Sequence, residues 1–336
     1  MLKIAVIGAG GIASAYGQAL GRSERARLAG VTDIDPAAAA RFAETFGTPA
    51  YATVPAMQMA ERFDAAIVCT PPDTHEAIVL DLVRRGIHVL CEKPLSIDRA
   101  SAVRMIAAAQ AAGVVLTMGS KYRYVADVVR ARELVNAGTI GDVILFENVF
   151  TSYVDMRSRW NSDPRRSGGG ALIDLGTHCV DIVRYFMGSI DKVHAIEGKR
   201  SQGLPVEETV HLFVKNHDGV MGTIDMSWSI QKNTESFIDI YGSHGTISVG
   251  WKQSRYRTTG GEWTKFGDGY DKVAAFRAQI DNFAGAIAGT EALVIGPEDA
   301  LASVEVIQTI YVSLVQDEWL AVPHFDGAAE ATSAPS

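Results

Sequence analysis

Hydrophobic and polar positions along the first third of the chain follow two alternating rhythms. LKIAVIG, ARLAGVT, FDAAIVC, IHVLC and VVLTMG are short, nearly continuous apolar runs. That is the pattern of strands buried on both faces. Between them, residues 12–22, PAAAARFAETFG, THEAIVLDLVRRG and SIDRASAVRMIAAAQAAG carry apolar residues at helical spacing. Pro36 near a first turn and Gly47 just past an end frame one helix, and Ser96 is the expected cap of another. Strand and helix in alternation predict a parallel sheet covered on both faces, a doubly wound α/β domain over residues 1–120.

The rhythm then changes. A helix near 125–137 ends at Gly138, and after residue 141 the period shortens to two. DVILFENVF, KVHAIEG, ETVHLFVKN, GVMGTIDMSWSI, ESFIDIYG and GTISVG read as strands, several joined by turns such as NHDG and GSHG that suit hairpins. The expectation is a second, α+β domain over residues 121–326, built on a large open, mostly antiparallel sheet. Helices over 271–289 and 297–316 close it, and 327–336 reads as a flexible tail.

Composition narrows the function classes. The chain has 336 residues, 47% of them hydrophobic, enough for two cores. A net charge of −8 gives no footing for nucleic acid or an anionic membrane surface. No apolar run is long enough to span a bilayer. Cys69, Cys91 and Cys179 form no CxxC pair, so neither a disulfide framework nor a zinc site is implied, and a reducing cytoplasm is the expected compartment.

The first chemical signal is Gly8-Ala9-Gly10-Gly11-Ile12-Ala13, which fits G-x-G-x-x-G/A between a strand and a helix. Gly8 allows the tight turn, Gly10 lets a pyrophosphate approach the backbone, and the helix start supplies N–H groups. Asp33, at the end of the second strand, can accept from both ribose hydroxyls and repel a 2′-phosphate, which favours NAD over NADP. Asp35 is a rival for that role, and Arg41 is a nearby cation that could welcome a phosphate. Two further strands end in CTPPDTH and CEKP. In an open α/β sheet this is the edge where ligands bind. Thr70 and Pro71 form a rigid turn there. Glu92 and Lys93 bring an acid and an amine to the same edge, with Lys93 able to donate to a substrate oxygen. His75 reads as a cap or surface group, although a cofactor contact stays open for it; His88 reads as structural.

The segment GGGALIDLGTH, residues 168–178, places three glycines before an acid and an imidazole four residues apart. The glycines would let the backbone pass close to a ligand or cofactor. A helix starting near Ala171 would then show Asp174 and His178 on one face, with Asp181 roughly aligned. His178 can take a proton from an alcohol as hydride leaves its carbon, and Asp174 can orient the imidazole or hold a neighbouring hydroxyl. No Cys/His set accompanies these residues, so no metal is expected.

Together, the GxGxxA start, CTPP, CEKP and GGGALIDLGTHCVDIVRYFMG resemble the Gfo/Idh/MocA oxidoreductase family over nearly the whole chain, to about residue 320. The resemblance implies an N-terminal Rossmann dinucleotide-binding domain, a C-terminal domain built on a large open antiparallel sheet, and hydride transfer between a secondary alcohol of a sugar, sugar derivative or cyclic polyol and NAD(P). Lys93, Asp174 and His178 match the family's catalytic residues, with Lys93 and His178 in proton transfer. The Lys93–Pro94 bond is a candidate cis peptide. Expected cofactor contacts are Gly8, Gly10, Gly11, Ile12, Asp33, Thr70, Pro71, His75, Glu92 and Lys93. Tyr122 and Arg123, in the aromatic–Arg–aromatic strand end, are expected near substrate together with Trp160, Arg165, Asp174 and His178. The second sheet is expected to form a homodimer or homotetramer interface. An alternative within the same family is a redox-neutral enzyme that oxidises a sugar, eliminates a glycosidic substituent and reduces the product again.

The chain departs from the family pattern before the glycines. Relatives often carry Trp-Arg, whereas here Trp160-Asn161 is followed by Asp163-Pro164-Arg165-Arg166. The stretch 155–166 holds four arginines and one tryptophan. Either it faces an acidic sugar, with Trp160 stacking on the ring, or it is a solvated or subunit-facing loop.

Overall fold

The computed structural model describes residues 1–323, and the expected tail at 327–336 lies outside the described residues. The first sheet contains β1 (Leu2–Ile7), β2 (Ala26–Thr32), β3 (Ala50–Tyr51), β4 (Ala65–Val68), β5 (His88–Glu92) and β6 (Leu116–Gly119). Their order is β3-β2-β1-β4-β5-β6, and all neighbours run parallel. Every residue of β4 is buried, as a strand covered on both faces requires. The order reverses between β1 and β4, which opens a crevice beyond their carboxyl ends.

The helices of this half are α1 (Gly11–Leu20), α2 (Pro36–Phe46), α3 (Val54–Ala60), α4 (His75–Arg84) and α5 (Arg99–Ala112). Asp35 caps α2 by accepting from the Ala37 amide, Pro36 occupies the first turn, and Gly47 ends the helix at φ +62°. The cap of α5 is Asp98, which accepts from the Ser101 amide at 2.8 Å, and not the expected Ser96. Ser96 Oγ instead accepts from the Asp98 amide, holding the cap from two residues earlier.

The second sheet runs β14-β13-β12-β11-β7-β10-β9-β8-β15. Its strands are β7 (Val143–Thr151), β8 (Ile190–Glu197), β9 (Thr209–Asn216), β10 (Met221–Ser227), β11 (Ser236–Gly242), β12 (Gly245–Gly250), β13 (Ser254–Thr258), β14 (Thr264–Gly267) and β15 (Leu320–Ala321). All pairs are antiparallel except β7 with β10. Parallel pairing needs a long crossover. The segment between β7 and β10 supplies it, holding α7 (Pro164–Ser167), α8 (Thr177–Met187) and two strands. Phe146, Asn148 and Phe150 of β7 are buried, while Leu145, Glu147 and Val149 on the opposite face are only partly so. Helices α6 (Ala126–Asn136), α8 and α10 (Pro297–Gln316) contribute Val128, Val180, Val183, Ile307 and Ile310 to the core on that buried face.

Residue 120 divides the two sheets but not the two cores, because the last helices return to the first sheet. On α9 (Lys272–Ile287), Phe276, Ile280 and Phe283 share one core with Ile4 and Val6, and Phe276 lies 4.4 Å from the Tyr16 ring. On α10, Val304 joins the first sheet's other core, and Val306, Ile307 and Ile310 join the second sheet's core. The crevice beyond β1, β4 and β5 is therefore walled by both halves and held by shared helices.

Candidate active site

The turn after β1 is built for close approach. Gly8 has φ +91°, and a Cβ there would stand 2.9 Å from the Cys69 carbonyl at the end of β4. Gly10 and Gly11 face open space, with no atom within 4 Å of an added Cβ. No side chain caps α1 and no acid lies in its first turn, so its leading N–H groups stay available. Asp33 reaches back to this turn, its Oδ2 accepting from the Ala9 amide at 2.6 Å and its Oδ1 from the Asp35 amide at 2.8 Å. Asp35 is spent on capping α2, so Asp33 is the carboxylate facing the glycine turn.

A cleft of about 200 Å³ opens where β4 and β5 end. Its lining includes Ile12, Thr70, Pro72, Glu92, Lys93, Lys121, Trp160, Asn161 and Asp174. The Lys93–Pro94 bond is cis. Lys93 Nζ donates to Asp174 Oδ1 at 2.6 Å and to the Asp174 carbonyl at 2.8 Å. The other carboxylate oxygen, Oδ2, accepts from the Trp228 indole N–H at 3.2 Å. Glu92 is buried, its Oε1 accepting from the Tyr16 hydroxyl at 2.6 Å, and burial pushes its pKa above the ordinary carboxylate range.

Residues 172–176 form a π-turn, and α8 starts only at Thr177. The expected α-helix from Ala171 is therefore distorted where Asp174 sits, a change common at functional sites. Asp174 and His178 consequently serve different partners. Asp174 clamps Lys93, while His178 Nε2 lies 3.0 Å from Lys121 Nζ. His178 is buried and its Nδ1 has no hydrogen-bond partner. Burial, then the nearby Lys121 and Lys93, hold its pKa well below the usual imidazole value.

Lys121 is the residue that the sequence reading passed over. It stands two positions beyond β6, at the same sheet edge that singled out Lys93, and the strand-end rule could have found it. It lines the cleft, and its amine lies 4.6 Å over the Tyr122 ring. Burial brings its pKa down to about 7, against the opposing pull of Glu92.

Several expected contacts lie elsewhere. The run Gly168-Gly169-Gly170 packs against protein rather than against a ligand: Gly168 has φ +82° beside Ile97, a Cβ on Gly169 would strike the Tyr311 hydroxyl, and one on Gly170 would strike the Glu207 carbonyl. Glu207 Oε1 ties this run down by accepting from the Gly170 and Leu172 amides and the Tyr311 hydroxyl. His75 is no surface group and offers no free ring atom to a cofactor. It is fully buried, with Nε2 2.9 Å from the Thr70 carbonyl and Nδ1 3.0 Å from the Pro94 carbonyl, and so braces the two strand-end turns. Arg123 is buried in ion pairs with Asp181 at 2.7 Å and Asp299 at 3.1 Å, away from the cleft. That pairing also removes Asp181 from any shared face with Asp174. Tyr122 is buried in an aromatic cluster and meets His178 edge-on at 5.0 Å. Arg165 points to solvent, its side chain 90% exposed and paired with Asp163. Of the 155–166 loop, Trp160 and Asn161 reach the cleft.

Among the described residues no helix is long and apolar enough to cross a membrane, and no three His, Cys, Asp or Glu side chains are grouped to hold a metal. Cys69, Cys91 and Cys179 are free thiols.

Residues 2–120 match the oxidoreductase family with an NAD-binding Rossmann fold, and residues 128–248 match the GFO/IDH/MocA C-terminal domain. The chain belongs to this family. Among curated relatives, glucose-6-phosphate 3-dehydrogenase of Bacillus subtilis (strain 168) is 30% identical over 228 residues, covering 67% of this chain and 65% of that protein. The chain thus spans just under two thirds of that relative's length. Inositol 2-dehydrogenase of Rhizobium meliloti (strain 1021) is 25% identical over 257 residues, 74% of this chain and 75% of that one. Among solved structures, GenD2 from gentamicin A biosynthesis, in complex with NAD, superposes with a TM-score of 0.85 at 27% identity, covering 96% of this chain and 97% of that one. The family's cofactor fits the residues present here. The open cradle at Gly10 and Gly11, the uncapped start of α1 and the Asp33 carboxylate form one continuous surface suited to a pyrophosphate and a ribose diol.

Proposed function

We propose that this protein is an NAD(H)-dependent dehydrogenase that moves a hydride between the nicotinamide and a secondary alcohol of a sugar, sugar derivative or cyclic polyol. The observation that carries the reading is the Lys93–Asp174 pair, held in a cleft that continues from the dinucleotide turn. When bound, NAD supplies the hydride acceptor. Gly8, Gly10, Gly11 and Ile12 receive its phosphates, and Asp33 takes the adenosine ribose and disfavours a 2′-phosphate. Thr70, Pro71, Glu92 and Lys93 border the nicotinamide end.

The Lys93 ammonium has three donors, two of them engaged by Asp174. The third is free for the reacting oxygen, where it stabilises negative charge as the O–H proton leaves. His178, a neutral imidazole behind the cleft, takes part in the transfer of that proton. Trp160 and Asn161 shape the cleft wall toward the sugar. Asn161 stands where relatives often carry arginine, so this wall offers an amide in place of a charge. The second sheet, open on its outer face, serves as the surface for a homodimer or homotetramer.

The test is nicotinamide absorbance with NAD across inositols, neutral aldoses, uronates and sugar phosphates. Net reduction with one class supports the dehydrogenase. Tight NAD binding with turnover but no net reduction would indicate the redox-neutral member of the same chemistry instead.

A further inference from the structure

His178 does not line the cleft, whereas Lys121 does. The imidazole is buried behind the lysine, with Nε2 3.0 Å from Lys121 Nζ. A proton leaving a substrate in the cleft therefore meets the Lys121 amine before it meets His178. Among the described residues no carboxylate hydrogen-bonds that amine, which lies beside His178 and over the Tyr122 and Phe276 rings.

We propose that Lys121 is a further catalytic residue of this site, taking the proton of the substrate hydroxyl at Nζ and sharing it with His178 Nε2. The inference rests on the dehydrogenase reading above. As the substrate is oxidised, the O–H bond breaks and its electron pair becomes the second bond of the carbonyl. The C–H pair leaves as hydride to the oxidised nicotinamide, and the proton adds to the lone pair of a neutral Lys121. The resulting ammonium donates to His178 Nε2 and later returns the proton to water. In the reverse direction the same ammonium protonates the forming alkoxide.

The surroundings suit an amine that changes charge. Glu92 at the end of β5 and Asp174 in the π-turn favour the ammonium, while Lys93 beyond β5 and Lys272 at the start of α9 oppose it. His178 on α8 accepts from it, and burial is the largest influence, leaving its pKa at about 7. An ordinary lysine titrates near 10.4, too high to act as a base at neutral pH. A Lys121 poised near 7 supplies both forms. His178, with a pKa well below 6.5, cannot hold the proton alone, but it can stabilise the ammonium.

Two readouts test this. The first is the pH profile of kcat/KM for alcohol oxidation in the wild type, Lys121→Met and Lys121→Arg. The wild type is expected to gain activity with rising pH through a limb near 7. Both variants should fall by about 10²-fold or more and lose that limb, the arginine because it keeps its proton. A small primary amine added to Lys121→Ala should restore part of the rate. A Lys121→Met enzyme within threefold of wild type, with the limb intact, would overturn the inference.

The second readout needs no turnover: NMR titration of ¹³Cε-lysine in the wild-type protein, with Lys121 assigned by its absence in Lys121→Arg. The expected signal titrates near 7 and moves lower in His178→Phe, which removes the acceptor. A Lys121 signal near 10, or one that His178→Phe leaves unmoved, would overturn the pairing. If the wild type reduces no nicotinamide with any alcohol, the dehydrogenase reading fails, and this titration still decides whether the Lys121–His178 pair exists.

Discussion

Lys93 Nζ is held by two oxygens of a single residue, the Oδ1 of Asp174 at 2.6 Å and its main-chain carbonyl at 2.8 Å. One oxygen comes from the side chain and one from the π-turn that carries it. The amine is thereby fixed in direction as well as in charge, which leaves it a single donor for a reacting oxygen.

Cofactor preference is expected to depend on Asp33. Replacing it with Ala removes the anion beside the glycine turn and frees the Ala9 amide. NAD affinity should fall by about 10–100-fold, the range for a lost charged hydrogen bond, and the preference over NADP should narrow. Fluorescence titration with both dinucleotides checks this. An unchanged preference would place the ribose elsewhere.

The glycine run at 168–170 answers to packing. A Cβ on Gly170 would overlap the backbone carbonyl of Glu207, which cannot swing aside as a side-chain tip could. Gly170→Ala should cost about 1–3 kcal/mol or more in denaturant unfolding. If stability were unchanged and only substrate affinity fell, the run would be a ligand contact after all.

The arginine loop is expected to be neutral in catalysis at Arg165. Its side chain is 90% exposed and pairs with Asp163. Arg165→Glu should leave kcat/KM within twofold for every active substrate, acidic or not. A selective loss on acidic sugars would return this residue to the site.

Acid stability should depend on Glu208. Its carboxylate is buried, which alone would raise its pKa. The Ser229 hydroxyl and the amides of Gln202, Ser201 and Leu204 outweigh that and hold it at about 2. The folded pKa lies below the unfolded value of about 4.3. Its stabilisation is therefore complete above that value and lost as pH falls toward 2. Between pH 7 and pH 3 the wild type should lose more stability than Glu208→Gln, read from urea midpoints at both pH values. Equal losses would mean the carboxylate is not held in this way.

What the sequence made legible was whatever period and local chemistry dictate. Continuous apolar runs gave the parallel strands, and period two gave the antiparallel ones. Asp33 and Lys93 were visible because each follows a strand at the ligand-binding edge. What stayed hidden depends on long-range closure. The return of Phe276 and Val304 to the first sheet carries no local mark, nor does the parallel pairing of β7 with β10. Gly169 and Gly170 read as room for a ligand because Tyr311 and Glu207, their true neighbours, lie far away in sequence. Arg123 was misread for the same reason, its partner Asp299 being on another helix. The π-turn broke the simple spacing argument for Asp174 and His178.

The most direct test of the account is Lys93→Met, assayed for both turnover and NAD affinity. The variant removes the amine and keeps most of the side chain's volume. With a substrate that the wild type oxidises, kcat should fall by about 10²–10⁴-fold, while the NAD dissociation constant stays within about threefold. A variant that still turns over near the wild-type rate, or one that loses NAD binding and turnover in equal measure, would contradict the placing of Lys93 at the reacting oxygen.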